Sequence, residues 1–256
     1  MMLMSVIFLT LIERKFMGLI QLRKGPFKVS FMGLFQSFSD AIKLLMKESM
    51  ILNQYNYFIY YFSPFFNFFL ISMLFMLIPS IYMMDYFYYS LLYLFCILSI
   101  NVYSVMMIGW SSNSKYSFLS SIRIIAQMIS YEISLMMFFI NLFIMLKSFS
   151  LFFIIKFQIY LWNFFLFLII CFNLFIIFLI EMNRIPFDFL EGESELISGF
   201  NVEFSSGYFV LIFISEYMSI IFMSLIIKVL FFGGMIFYFY DYLLILLFLS
   251  MIILIR

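Results

Sequence analysis

Five carboxylates and one arginine crowd into the fifteen residues from Glu181 to Glu195: Glu181, Asp188, Glu191, Glu193 and Glu195, with Arg184. Carboxylates packed together beside a low-dielectric phase raise one another's affinity for protons, so such a loop can hold and pass protons near neutral pH. The alternative for the same residues is a solvated acidic loop whose charges are simply wet. Glu132 and Glu216 are harder to dismiss. Each sits inside an otherwise apolar run, where a carboxylate costs roughly 2.5 kcal/mol or more, and acids retained at that cost mark proton or ion pathways by default. Glu203 lies near the start of its apolar run and could equally face lipid headgroups.

Around Glu132, helical spacing puts Arg123, Gln127, Ser130 and Ser134 on one face and Glu132 on the opposite one. Glu132 therefore needs a partner from another helix, or stays neutral against a neighbouring hydroxyl. A second charged segment, Glu13 to Pro26, places Arg14, Lys15, Arg23, Lys24 and a Gly-Pro turn at a membrane edge. It reads either as ordinary cationic anchoring or as a polar mouth for an amphiphile whose tail lies in lipid. With no histidine anywhere, the chain's own side chains cannot form a Ser/His/Asp triad, a HExxH zinc site or a bis-histidine haem site. Cys96 and Cys171 lack the paired spacing of a metal or iron–sulfur site. Chemistry must rest on carboxylates, Arg, Lys and Tyr. A net charge of +1 gives no reason to expect nucleic acid.

The elements that position these residues are membrane helices. Hydrophobic residues make up 67% of the chain and charged ones 11%, far from the balance of a soluble domain. No charge occurs from Ser49 to Met84, from Tyr86 to Ser114 or from Phe157 to Ile180, and each run exceeds the roughly 20 residues that span a bilayer. Seven segments are predicted, at about 2–12, 58–79, 87–109, 119–146, 159–181, 204–230 and 236–255. The first is too short to cross, so either its start is clipped or the helix continues through Glu13-Arg14-Lys15. Between the first two segments, residues 32–48 pattern as an amphipathic helix. Leu34, Phe35, Phe38, Ile42, Leu45 and Met46 form its apolar stripe and Gln36, Asp40, Lys43 and Lys47 the other face. Such a helix lies in the interface plane, against lipid. Gly233-Gly234 reads as a break between the last two spans.

Orientation follows from the cations. With the loop at 13–55 on the negative side, eleven of the fourteen Lys and Arg share that side, as does the acidic loop at 182–203. The chain reads as one domain, 1–256. Its 41 Phe, 22 Met and 18 Tyr, against two Ala, resemble codon drift in an AT-rich organellar genome.

Three stretches decide the family: ERKFMGLIQLRKGP with GLFQSFSDAIKLLMKE, then SNSKY with AQMISYE, then EMNRIPFDFLEGESELISGFNVEFSSG with SEY. Together they resemble the signatures of the subunit 1 family of NADH:ubiquinone oxidoreductase, respiratory complex I, across nearly the whole chain. The resemblance implies a multi-pass subunit of the mitochondrial inner membrane, with both polar loops on the matrix side, forming much of the ubiquinone chamber and its entrance. It implies that FMN and iron–sulfur clusters belong to partner subunits of the peripheral arm, and that antiporter-like membrane subunits are further partners. By position, Arg14, Arg23, Lys24 and Asp40 resemble the charged lining of the quinone tunnel. Arg184, Asp188, Glu191, Glu193 and Glu195 resemble the acidic loop facing the chamber, and Glu132, Glu181, Glu203 and Glu216 the buried acids leading into the membrane arm. Phe27, Ser30, Ser37 and Ile185 depart from the family's usual Asn, Gly, Pro and Thr, beside charged positions rather than at them. The family also has a further matrix loop and an eighth helix, which the chain to Arg256 does not include.

The expected activity is thus coupling of ubiquinone reduction to proton translocation within a larger complex, with no catalysis by the isolated chain. Two rivals remain: a stand-alone proton or cation carrier, which would transport when purified alone, and a structural anchor for the peripheral arm. The anchor leaves the cost of burying Glu132 and Glu216 unexplained.

Overall fold

The computed structural model describes residues 2–50, 54–78, 87–158, 161–188, 199–201, 203–233 and 239–255. Among these, all regular structure is helical: α1 (Met2–Ile20), α2 (Gln36–Leu45), α3 (Tyr57–Leu74), α4 (Ser90–Ser111), α5 (Lys115–Leu146), α6 (Leu151–Phe157), α7 (Asn163–Leu166), α8 (Leu168–Glu181), α9 (Ser206–Phe231) and α10 (Phe239–Leu254). Four stretches are long and apolar enough to cross a membrane: Tyr57–Leu77, Ser90–Ser111, Lys115–Leu146 and Ser206–Phe231. Leu168–Glu181 and Asp241–Leu254 are shorter apolar helices. The all-helical, multi-pass class expected from the sequence is the class observed.

The first helix takes one of its two expected courses: it continues through Glu13-Arg14-Lys15 and runs 19 residues to Ile20, because its charges find partners: Glu13 turns inward and is 4% exposed, while Arg14 turns outward to Asp40. Two other elements differ from expectation in their bounds. The amphipathic helix is shorter than 32–48. A 3-10 turn at Phe31–Gly33, with Met32 in a left-handed conformation, precedes α2, whose stripe residues Phe35, Ile42 and Leu45 stay exposed on the outside of the chain. The expected span at 159–181 is broken at Phe167 into α7 and α8. Nearby, Gln158 Nε2 donates to the Leu230 carbonyl at 2.6 Å and Asn163 Nδ2 donates to the same oxygen at 3.0 Å. The last carbonyls of a helix have no intrahelical donor, and these two amides supply one at the buried end of α9. A short helix not expected from the sequence, α6, leads into this collar.

Helix α9 is the centre of the bundle. It packs against α1, α2, α3, α6, α7, α8 and α10, and every residue from Ile220 to Phe231 is buried. Lys228, which the cation pattern assigns to the side opposite the loops, is fully buried and bonded to Asp241 Oδ1 of α10 at 2.8 Å. α4 and α5 approach closely along a serine-rich seam that includes Ser112, Ser117, Ser120 and Ser121, all buried. The approach requires Gly109, since a Cβ there would lie 2.3 Å from Ser121 Cβ and 3.0 Å from the Ser117 carbonyl. Small residues allow such backbone contact where no hydrophobic drive between helices exists. Gly109→Val should therefore overpack the seam at a cost of about 1–3 kcal/mol and lower the yield of folded protein measured by native electrophoresis. Adding Ser121→Gly should recover part of the loss.

Candidate functional site

The polar residues of the bundle form two clusters that share their backbone. The first gathers Glu13 of α1, Arg184 just beyond α8 and Tyr217 of α9. Arg184 Nη1 donates to Glu13 Oε1 at 2.9 Å, and the Tyr217 hydroxyl donates to Glu13 Oε2 at 2.8 Å. The guanidinium also lies over the Tyr217 ring, 5.2 Å from its centroid, where the ring's negative face attracts a cation. Burial works against the Arg184 charge, but the adjacent Glu13 carboxylate more than offsets it, and the guanidinium holds its proton above the ordinary arginine range. The cluster ties the start of the acidic loop to α1 and α9.

The second cluster draws on the same two segments. Glu181, three residues before Arg184, and Glu216, adjacent to Tyr217, both line a cavity of about 50 Å³ together with Asn67, Asn101, Asn183 and Ser219. Glu181 is 8% exposed, and its Oε2 has no hydrogen-bond partner among the described residues; the same holds for Asn183 Oδ1 and Asn201 Oδ1. Asn201 Nδ2 donates to Glu216 Oε1 at 3.4 Å. Glu132 of α5 is half-buried and does not line this cavity.

Of the other expected residues, Arg14 and Asp40 form an ion pair at the protein surface, supported by Gln36 Nε2 donating to Asp40 Oδ1 at 2.9 Å. Arg14 is too exposed for this pair to add more than a fraction of a kcal/mol. Arg23 and Lys24 are exposed on the loop after α1. Asp188 is half-buried at the end of the described loop, and Glu191, Glu193 and Glu195 lie outside the described residues. Glu203 is half-buried, and its backbone carbonyl accepts the Tyr60 hydroxyl at 2.9 Å. The structure therefore brings together Glu181 and Glu216 at one cavity, with Arg184 three residues beyond Glu181, and sets Arg14 with Asp40 apart on the surface.

Sequence reasoning missed Glu13 and Tyr217. Glu13 passed as one charge in a cationic anchor, although its neighbour Arg14 points the other way. Gln127 was placed only on one helix face with Arg123; it is buried and donates from Nε2 to the carbonyls of Ile180 and Phe187, at 3.3 and 3.1 Å, holding the chain on either side of the Glu181–Arg184 turn. The signal available was the tyrosine directly after an intramembrane glutamate.

Arg184→Met leaves Glu13 as a buried carboxylate without its cation, a loss of about 3–5 kcal/mol for such pairs. The expected outcome is a marked fall in thermal stability by differential scanning fluorimetry. The double variant Glu13→Leu/Arg184→Met should regain much of it, because no lone charge is left behind.

The family model described as NADH dehydrogenase matches residues 1–256. An NADH-ubiquinone oxidoreductase chain 1 from Locusta migratoria is 47% identical over 238 residues, covering 93% of this chain and 76% of that relative. Those from Aedes aegypti and Apis mellifera ligustica are 46% and 47% identical, covering 83% and 84% of this chain and 68% and 70% of theirs. A match over all 256 residues and identity near one half across most of both sequences lead to one conclusion: the chain belongs to the NADH dehydrogenase family.

Proposed function

We propose that this chain is a core membrane subunit of a proton-translocating NADH:ubiquinone oxidoreductase of the mitochondrial inner membrane, and that it couples ubiquinone reduction to proton movement through its buried carboxylates. The observation that carries this reading is that the same two segments serve both clusters. The segment 181–184 and the segment 215–219 supply Arg184 and Tyr217 to the pairing with Glu13, and Glu181 and Glu216 to the cavity.

Reduction of ubiquinone to ubiquinol consumes two electrons and two protons, so the site that hosts it gains or loses charge at each step. In this reading Arg14, Arg23, Lys24, Asp40, Arg184 and Asp188, with Glu191, Glu193 and Glu195, line the polar end of the chamber. Electrons come from redox centres in partner subunits of the peripheral arm. The Glu13–Arg184–Tyr217 cluster fixes the base of the acidic loop, so that the field change is delivered at constant geometry rather than dissipated by loop motion. Charges in low dielectric act on neighbouring acids over several ångströms, which shifts the protonation of Glu181, Glu132 and Glu216 and passes the change, with Glu203, toward antiporter-like partners. The Phe-rich, Ala-poor composition supports an organellar origin.

The test is coupled turnover in the assembled complex in sealed vesicles. Glu181→Gln and Glu216→Gln should each lower proton translocation at least about tenfold, the scale on which a positioned acid contributes to proton transfer, at normal complex content. Wild-type coupled rates in both variants would count against the relay.

A further inference from the structure

A second set of polar side chains, neutral ones, meets the cavity between Glu181 and Glu216. Asn67 of α3 is 5% exposed. Its Nδ2 donates to Ser215 Oγ of α9 at 2.9 Å, and its Oδ1 lies 3.1 Å from Ser104 Oγ of α4. Ser104 Oγ also lies 2.7 Å from the Asn101 carbonyl and 3.0 Å from Asn101 Oδ1. A hydroxyl has one proton to give. Ser104 therefore serves one side-chain acceptor at a time, Asn67 Oδ1 or Asn101 Oδ1, which leaves the other able to accept from water.

A shortage of donors appears across the cavity. Glu181 Oε2 and Asn183 Oδ1 are buried acceptors without a hydrogen-bond partner among the described residues. A protonated Glu181 would add one donor, which does not close the gap. Buried acceptors left without donors cost about 1–3 kcal/mol each, and water is the donor small enough for this space, whose otherwise apolar wall carries polar groups at Asn67, Asn101, Glu181, Asn183, Glu216 and Ser219. The cavity measures about 50 Å³, where one water needs about 10–15 Å³ of such volume and two to four polar partners. Asn67 and Asn101 both line it, with Glu181 on α8 and Glu216 on α9.

We propose that Asn67 and Asn101 are positioning residues that hold a small water cluster between Glu181 and Glu216, and that proton exchange between the two acids runs through that cluster. The inference rests on the relay reading above. Its specific content is that neutral amides from α3 and α4, with Ser104 joining them, order the waters that an acid-to-acid transfer needs. Without those amides the cavity walls on that side would be Ile71, Leu74, Leu98 and Val105, which offer water nothing.

The experiment compares Asn67→Leu, Asn67→Ser and Asn101→Leu with Glu181→Gln in the assembled complex in sealed vesicles. Coupled turnover is measured in H2O and D2O and normalised to complex content. Asn67→Leu and Asn101→Leu should slow coupled turnover about five- to tenfold, the loss expected when a neutral hydrogen bond to the transferring chain is removed. Both should also raise the H2O/D2O rate ratio, because proton transfer becomes more rate-limiting. Asn67→Ser, which keeps a hydroxyl and leaves room for one more water, should restore both quantities. Asn101 is only half-buried, so Asn101→Leu carries the test if Asn67→Leu does not assemble. Wild-type rates and isotope ratios in both leucine variants, with Glu181→Gln impaired, would overturn the water cluster and leave the relay standing. Slowing without a change in isotope ratio and without rescue by serine would overturn it as well, in favour of a packing role. A wild-type Glu181→Gln would remove the relay and this inference together.

Discussion

Lipid offers a charged group no hydrogen-bond partner, so every charged group inside a membrane bundle must be satisfied by the protein or by water that the protein encloses. Helix α9 carries three groups under that constraint, Glu216, Tyr217 and Lys228, and they point in different directions. Each therefore dictates a neighbour. Tyr217 calls for Glu13 from α1 and, through it, Arg184 from the end of α8. Lys228 calls for Asp241 from α10. Glu216 faces the cavity that Glu181, Asn67 and Asn101 close. The position of α9 in contact with seven other helices follows from these demands as much as from apolar packing.

Satisfied and unmatched charges are kept apart although their backbones are continuous. Glu13, Arg184 and Tyr217 satisfy one another: both carboxylate oxygens are bonded and the guanidinium is stacked as well as paired. Such a cluster holds geometry. Glu181 is the opposite case, a buried acid with an unmatched oxygen on a small cavity. In the proposed function, the first cluster supplies the fixed frame and the second the acids that respond.

Much of this was legible in the sequence, and the rest was hidden for specific reasons. Charge-free runs located the helices, and the cost of intramembrane acids singled out Glu132 and Glu216 before any fold was known. The failures fall where side chains override hydropathy. Whether the first helix ran on past Ile12 stayed open, because Glu13 is buried by a cation 171 residues away in sequence, a pairing no local pattern reveals. The break at Phe167 arises from Gln158 and Asn163 reaching the end of α9, again a long-range demand. Asn67 and Asn101 drew no attention in their apolar runs; only the packing of α3, α4 and α9 places them on the cavity with the acids.

The most direct measurement is infrared difference spectroscopy of the assembled complex on reduction of bound quinone, with Glu181→Gln and Glu216→Gln used to assign carboxyl bands. Coupling through these acids requires that protonated-carboxyl bands change on reduction and that specific components vanish in each variant. If the carboxyl region stays unchanged through quinone reduction, or if both substitutions leave its bands intact, the acids are bystanders and the coupling route lies elsewhere.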